Sequence, residues 1–171
     1  ALRKSEEKYR ILVEQSLQGI MVCKASISPG APPQIVFVNQ GMSKILGYTP
    51  EELISLSPQQ TEGLVHPEDR QLFFARFKDR LEGKSPPSNY EVRGIRKDGT
   101  TVWVEISSSR IEYDEQPAVQ ATFVDITERK KAHDDRSKLI HGLDERAKEL
   151  RCLYGISKIV EQSDSLDELL Q

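Results

Sequence analysis

The sequence predicts the α+β fold class, with a five-stranded antiparallel sheet, helices on one face of it, and a long C-terminal helix after it. Up to about residue 127, short segments of alternating apolar and polar residues are separated by turn-forming residues. They occur in the order two strands, several helices and three strands. Beyond residue 127 there is no Pro and only two Gly, while apolar residues recur at helical spacing among charges. This contrast indicates a compact domain joined to a helix.

The composition limits the kinds of function that the chain can have. With 24 Lys and Arg against 27 Asp and Glu, the formal net charge is −3, whereas a dedicated nucleic-acid-binding protein is usually clearly basic. No apolar run approaches the roughly 20 residues needed to cross a bilayer, and the charged N-terminus does not resemble a signal peptide. We therefore expect a cytoplasmic protein that neither binds nucleic acid nor inserts directly into a membrane.

The first elements are a helix and two strands. A lead-in helix is predicted at Ser5–Gln15, within residues 1–17, because its apolar residues form a modest stripe. Strands follow at Gly19–Ile27 and Gln34–Val38. Three prolines in the segment between them cannot continue a ladder, so this segment is expected to be a hairpin connection.

The helices that follow carry strong start and stop signals. Asn39 is predicted to cap a helix at Gln40–Leu46, and Thr49 begins a second helix with a capping box. A longer helix is predicted at Pro67–Glu82, with a broad apolar face, and Gly83 should end it.

Three strands complete the compact domain. Asn89–Arg96 and Thr101–Tyr113 are joined through residues 97–99, whose Asp-Gly pair is typical of a hairpin because it tolerates positive φ. The last strand is predicted at Ala118–Val124, entered after Pro117.

Five blocks of the sequence together resemble the motifs of the PAS family. The blocks are Val38–Gln40 with Leu46–Leu53, Val65–Arg70, Tyr90–Arg93 with Arg96–Gly99, Val102–Glu105, and Asp125–Arg129. They stand in family order and spacing over about residues 5–130, with the PAS domain itself expected at 18–127. The resemblance implies helices that cradle an interior pocket, used for sensing or dimerisation in a multidomain signalling protein such as a sensor histidine kinase. It implies no catalytic activity of the domain itself.

The resemblance also bears on cofactors. Family members that sense light through a flavin use a reactive Cys before the long helix, but Gln59–Leu64 contains no thiol. Members that bind haem mostly hold the iron through a His on the long helix, and residues 67–82 contain none. His66 is expected to shape the start of that helix instead. No cofactor or metal site is therefore predicted, and a small ligand of unknown identity stays possible.

Strand alternation, oriented by the resemblance to cofactor-binding relatives, predicts which side chains face the pocket. The candidate ligand-pocket residues are Phe77, Tyr90, Val92, Gly94, Val104, Ile106 and Phe123. This set is almost wholly apolar. Two interpretations stay open: the residues simply fill the core, or they line a site for a small apolar or weakly polar ligand.

The last strand is expected to pass into the C-terminal helix at a junction formed by Asp125 and Thr127. Asp125 is predicted to cap the helix together with Glu128, or Thr127 caps the next turn. A similar junction in the family implies that a shift of the sheet is passed to the helix here.

Residues 128–162 are predicted to form a signalling helix and coiled-coil linker. Apolar residues at alternating steps of four and three form a seam: Leu139, Leu143, Leu150, Leu153 and Val160. Arg146 and Ser157 interrupt it. A helix this long needs a partner for its apolar stripe, so we expect a parallel homodimer.

Two further features lie in the C-terminal part of the chain. His141 is the candidate phospho-acceptor of an alternative function, as part of a histidine kinase dimerisation region, but Gly142 follows it and no proline comes after. Residues 163–171 are expected to begin a following, truncated signalling module similar to a GAF domain, with a capped helix at Ser165.

Overall fold

The computed structural model describes residues 7–8, 11–26 and 32–169, with side chains described as far as residue 154. The chain divides into two compact units, residues 1–127 and residues 128–171. Residues 7–8 and 11–14 are helical, in the region of the predicted lead-in helix, whose other positions lie partly outside the described residues.

A five-stranded sheet organises the first unit and confirms the predicted fold class. The strands are β1 (Gly19–Lys24), β2 (Gln34–Val38), β3 (Asn89–Ile95), β4 (Thr101–Tyr113) and β5 (Gln116–Asp125). Their order in the sheet is β2-β1-β5-β4-β3, and every neighbouring pair is antiparallel. The chain therefore crosses from one edge to the other through the helices between β2 and β3.

Four helices connect the two halves of the sheet, and a fifth follows it. They are α1 (Gln40–Leu46), α2 (Pro50–Ile54), α3 (Pro58–Gly63), α4 (Pro67–Leu81) and α5 (Thr127–Leu169). The predicted capping box at Thr49 is present, since the Glu52 amide donates to Thr49 Oγ1 at 3.2 Å and the Thr49 amide donates to Glu52 Oε2 at 3.0 Å. Gly83 follows α4 with φ of 82°, a conformation that glycine adopts without strain.

α3 was missed by sequence reasoning, although its start signal is present. Ser57 and Gln60 form a second capping box around Pro58, in which the Gln60 amide donates to Ser57 Oγ at 3.4 Å. The helix has only six residues and no apolar stripe of its own, so hydrophobic periodicity could not reveal it.

The end of β1 and the start of β5 also differ from the predicted bounds. β1 stops at Lys24 rather than at Ile27, a residue outside the described ones, because the pairing with both neighbours ends at Lys24. β5 begins at Gln116 rather than at Ala118 and contains Pro117. Pro117 is tolerated there because β1 pairs with β5 only from Ala118 onward, so one side of the proline carries no ladder.

The core lies between the sheet and the helices of the first unit. Leu53, Val102 and Ile106 are the largest fully buried apolar side chains, and both methionines, Met21 and Met42, are buried with them. Packing of this kind leaves little free space in a well-formed domain, so any remaining cavity is informative.

The second unit is formed by α5. The helix continues without interruption from Thr127 to Leu169, so the separate helix start predicted at Ser165 is wrong. The physical reason is that residues 156–169 contain neither Gly nor Pro, and nothing there stops a helix once it has formed. The expectation of a following module at 163–171 stays a prediction.

Candidate ligand cavity and signal junction

An apolar cavity of about 60 Å³ lies in the core between the sheet and the helices. All five strands contribute to its walls, together with α1, α3 and α4, and the lining side chains are apolar except for Thr61 and Arg93. An engineered protein cavity of roughly 150 Å³ holds benzene, so this cavity has room for only a few heavy atoms.

The structure divides the predicted pocket residues between two neighbouring cavities. Five of them line the larger cavity: Val92, Gly94, Val104, Ile106 and Phe123. Phe77 and Tyr90 line a smaller one of about 30 Å³ instead, together with Ile106 and Phe123. The predicted set is thus brought together in the core, but around two spaces rather than one.

The two cavities share one wall. Its residues are Met21, Cys23, Phe73, Ile106 and Phe123, all of which line both spaces. The smaller cavity has three polar residues in its wall, Arg80, Tyr90 and Ser108.

Arg80 is the most informative residue that sequence reasoning missed. It is 5% exposed, and its Nη2 atom donates to the carbonyl oxygens of Pro86 at 3.4 Å and Pro87 at 2.8 Å. The signal that could have found it is helical spacing, because Arg80 follows Phe73 and Phe77 on the apolar face of α4.

Burial shifts the pKa of two groups in the cavity walls, Tyr90 and Cys23. Burial raises the pKa of Tyr90, while the nearby Arg80 charge and Ser108 hydroxyl act in the opposite direction. Burial also raises the pKa of the Cys23 thiol to about 12, which makes it a small apolar wall group rather than a nucleophile.

Gly94 allows the segment before α4 to cross close to β3. A Cβ atom at Gly94 would lie 3.1 Å from Val102 Cγ1 and 3.5 Å from the Leu64 carbonyl oxygen. The same crossing is held by the Ile95 amide, which donates to the Leu64 oxygen at 2.8 Å. A side chain at position 94 would have to push one of these neighbours away.

An ion pair fixes the start of α4 against β3. Arg93 donates from Nη2 to Asp69 Oδ1 at 2.7 Å, and its backbone amide donates to Asp69 Oδ2 at 2.8 Å. Hydrogen bonding to Arg93 holds the pKa of the Asp69 carboxyl below its usual range. His66 lies at the same helix end, where its Nδ1 accepts from the Glu68 amide at 3.4 Å.

The signal junction is held to β4 by backbone contacts of Trp103. The Trp103 amide donates to Thr127 Oγ1 at 3.0 Å, and the Ile126 amide donates to the Trp103 carbonyl at 2.8 Å. Ile126 is itself buried. The residue before the helix and the first residue of the helix are therefore both bonded to β4.

Asp125 makes one contact typical of a helix cap and one that was not predicted. Its Oδ1 accepts from the Thr127 amide at 2.9 Å, two residues on, and its Oδ2 accepts from Arg96 Nη2 at 2.8 Å. The Thr127 hydroxyl accepts from β4, and its role as a cap of the next turn stays a prediction. Both residues therefore connect the end of β5 and the start of α5 to the rest of the sheet.

The predicted seam on α5 can be followed as far as residue 154. Leu139, Leu143, Leu150 and Leu153 are 58–66% exposed, whereas the side chain of Val160 lies outside the described residues. His141 is also exposed, with its Nε2 atom 3.5 Å from Glu145 Oε1 one turn later. Its suggested role as a phospho-acceptor stays a prediction.

Two general features of site chemistry can be checked over the described residues. In that part of the chain, no group of three or more His, Cys, Asp or Glu side chains is arranged to hold a metal ion. No helix of the described chain combines the length and apolar character needed to cross a membrane.

Solved structures with the same fold include several that are described as PAS domains. A PAS domain from Colwellia psychrerythraea has 22% identity and a TM-score of 0.57, with 75% of this chain and 99% of that chain covered. A sensory box histidine kinase/response regulator from Burkholderia thailandensis E264 has 20% identity and a TM-score of 0.56, with 81% and 98% covered. The PAS domain of an HTR-like protein from Haloarcula marismortui has 25% identity and a TM-score of 0.53, with 73% and 94% covered.

The family assignment follows from the sequence model as well as from the fold. A comparison with curated proteins finds no match. The family model described as the PAS fold matches residues 35–123, which is more than half of the 171 residues. The chain belongs to the PAS family.

Proposed function

We propose that this chain is a non-catalytic sensory and dimerisation module, which passes the state of its core through the Asp125–Thr127 junction to a dimeric C-terminal helix. One observation carries the proposal: adjacent residues of β4 serve the cavity and the junction. Val104 lines the cavity and pairs with Asp125 across the sheet. Its neighbour Trp103 holds the first residue of α5 through its backbone amide.

The proposed mechanism uses the stiffness of this strand. A change in the cavity that displaces Val104 also displaces the adjoining peptide of Trp103, because close-packed interiors transmit strain rather than absorb it. The hydrogen bond to Thr127 then moves the start of the helix. Small shifts of this kind change the relative position of paired helices in many switching proteins.

The proposed partner of α5 is a second copy of the same helix. The four leucines of the seam within the described side chains are exposed, and an isolated helix is not stabilised by such a stripe unless another surface covers it. Their steps of four and three match the knobs of a left-handed coiled coil. A parallel dimer would bring the two junctions to the same end.

The parent protein is proposed to be a cytoplasmic two-component signalling protein with a downstream signalling domain in the same chain. Support comes from solved structures of the same fold whose sources are described as sensor histidine kinases or as histidine kinase/response regulators.

A double-mutant cycle tests the coupling. Val104→Leu adds a methylene to the wall of the 60 Å³ cavity, and we expect it to change the dimer dissociation constant at least threefold in sedimentation equilibrium. In the Thr127→Val background, Val104→Leu should leave the dimer dissociation constant unchanged, because the hydrogen bond from the Trp103 amide to the side chain of residue 127 is absent. Thr122→Val is the matched control, since Thr122 lies on β5 but donates its hydroxyl to Ser107 in the sheet.

Two results would contradict the proposal. Additive effects of Val104→Leu and Thr127→Val would show that the cavity and the helix start are independent. A chain that sediments as a monomer at high micromolar concentration would remove the dimer. Leu143→Glu, which places a charge in the seam, should produce such a monomer from the wild-type dimer.

A further inference from the structure

The second cavity contains a buried charge whose neighbours do not balance it. Arg80 is 5% exposed, and its partners are all neutral: Nη2 donates to the carbonyl oxygens of Pro86 and Pro87, and the side chain is also hydrogen-bonded to Tyr90. Within the described part of the chain, no carboxylate forms an ion pair with Arg80. A buried charge is costly unless an opposite charge pairs with it, so the site is electrostatically incomplete.

The groups around Arg80 are suited to a carboxylate. A guanidinium has five N–H donors in a planar fork that matches the two oxygens of a carboxylate, and here a single nitrogen serves both carbonyls. The hydroxyls of Tyr90 and Ser108, which are hydrogen-bonded to each other, line the same 30 Å³ space and can turn to donate to a ligand there. This volume is close to that of one water molecule in the liquid, which is enough for a single carboxylate group.

The adjoining space is suited to a short hydrocarbon chain. The 60 Å³ cavity shares Met21 and Phe73 with the Arg80 cavity, and its lining is apolar except for Thr61 and for Arg93, which is paired with Asp69. Methionine is flexible enough to rearrange around an inserted chain. Because the cavity is less than half the volume that accommodates benzene, aromatic acids and long fatty acids are too large.

We propose that the two cavities together bind a short-chain monocarboxylate of about four carbons, with its carboxylate against Arg80 and its chain in the apolar cavity. This inference rests on the proposed sensory function, for which it names the ligand class. Phosphate lacks the apolar part, and a neutral alcohol leaves the Arg80 charge uncompensated.

A titration followed by amide NMR tests the proposal on the full chain, with sodium butyrate as the probe and butan-1-ol as its uncharged analogue. We expect saturable shifts around Arg80 and Ser108, with butyrate binding at least tenfold more tightly than butan-1-ol. Arg80→Gln should weaken butyrate at least tenfold and leave butan-1-ol unchanged. Tyr90→Phe and Ser108→Ala should each weaken butyrate two- to fivefold, which keeps the test available if Arg80→Gln does not fold.

The matched control is Arg76→Gln. Arg76 lies on the same helix, with its guanidinium 4.4 Å from the centre of the Tyr90 ring, but it does not line the cavity. Its loss should change butyrate affinity less than twofold. Equal affinities for butyrate and butan-1-ol in the wild type would overturn the proposal, and so would equal losses in Arg76→Gln and Arg80→Gln.

The two proposals fail separately. If butyrate does not bind but the Val104–Thr127 cycle shows coupling, the ligand class is wrong and the sensory mechanism stands. If butyrate binds as expected but the cycle is additive, the ligand site stands and signal transfer through the junction is wrong.

Discussion

Replacing Asn39 with alanine is expected to be among the most destabilising single changes in the domain. Asn39 is fully buried, and its side chain makes four hydrogen bonds. Its Oδ1 accepts from the amides of Ile20 at 2.7 Å and Met42 at 3.0 Å. Its Nδ2 donates to the carbonyls of Val13 at 2.9 Å and Gln18 at 3.0 Å. One side chain therefore joins the N-terminal segment, β1 and the first turn of α1.

The magnitude follows from the number and burial of these bonds. A typical intramolecular hydrogen bond contributes about 1 kcal/mol, and a buried group left without a partner costs about 1–3 kcal/mol. With partial access of water to the freed groups, Asn39→Ala should lower the free energy of unfolding by about 3–5 kcal/mol. That is at least about a fifth of the stability of a domain in the usual range of about 5–15 kcal/mol, and most of it at the lower end of that range.

Urea denaturation of the wild type and two variants measures this effect. Asn89→Ala is the matched control, because Asn89 is exposed at the start of β3, and it should change the free energy by less than about 0.5 kcal/mol. A loss below about 1 kcal/mol in Asn39→Ala would refute the reasoning, as would a loss equal to that of Asn89→Ala.

Two further predictions concern a turn and an ion pair. Glu115 has φ of 58° in the turn between β4 and β5, so Glu115→Gly should raise the free energy of unfolding by about 0.5–1 kcal/mol, measured by urea denaturation; a decrease would contradict this. Asp69→Asn should lower it by about 1–2 kcal/mol near pH 6. Because pairing with Arg93 depresses the folded-state pKa of Asp69, the wild type has this advantage above the unfolded-state pKa and loses it as pH falls through the folded-state value. The difference between the two proteins should therefore begin to shrink as the pH falls below about 4, the ordinary pKa of Asp, and a difference that stays constant would contradict the assignment.

The elements with local signals were predictable from the sequence. The capping box at Thr49 and the glycine after α4 depend only on residues a few positions apart, and both are present. The alternation along β4 likewise places Val104 and Ile106 in the core. Such features need no knowledge of distant contacts.

Features that depend on distant partners were missed. The β4–β5 turn uses Asp114 and Glu115 with positive φ, although neither is glycine. Residue preferences for turns therefore did not reveal it, and the start of the last strand was predicted after Pro117. The extra length of β5 comes from its pairing with β4, where Gln116 lies opposite Tyr113. Strand ends set by pairing cannot be read from one strand alone.

The candidate site was partly predictable for a similar reason. Side chains alternate across a sheet, and the resemblance to cofactor-binding relatives indicated which of the two sets forms the apolar wall. The alternation of side chains cannot predict that the core contains two cavities, because their separation depends on how Met21 and Phe73 pack. Arg80 was passed over because a charged residue is rarely fully buried, although its helical position marks it as part of the same wall.

The central claim, that the core acts on a dimeric helix through the junction, is tested most directly by a distance measurement between two copies of α5. A nitroxide on the exposed Cys152 reports that distance by pulsed dipolar spectroscopy, and the half-buried Cys23 remains a neutral thiol during labelling because its pKa is raised. We predict one short distance distribution in the wild type, a shifted one in Val104→Leu, and no shift when Thr127→Val is added. An absence of dipolar coupling, or the same shift with and without Thr127, would contradict the claim.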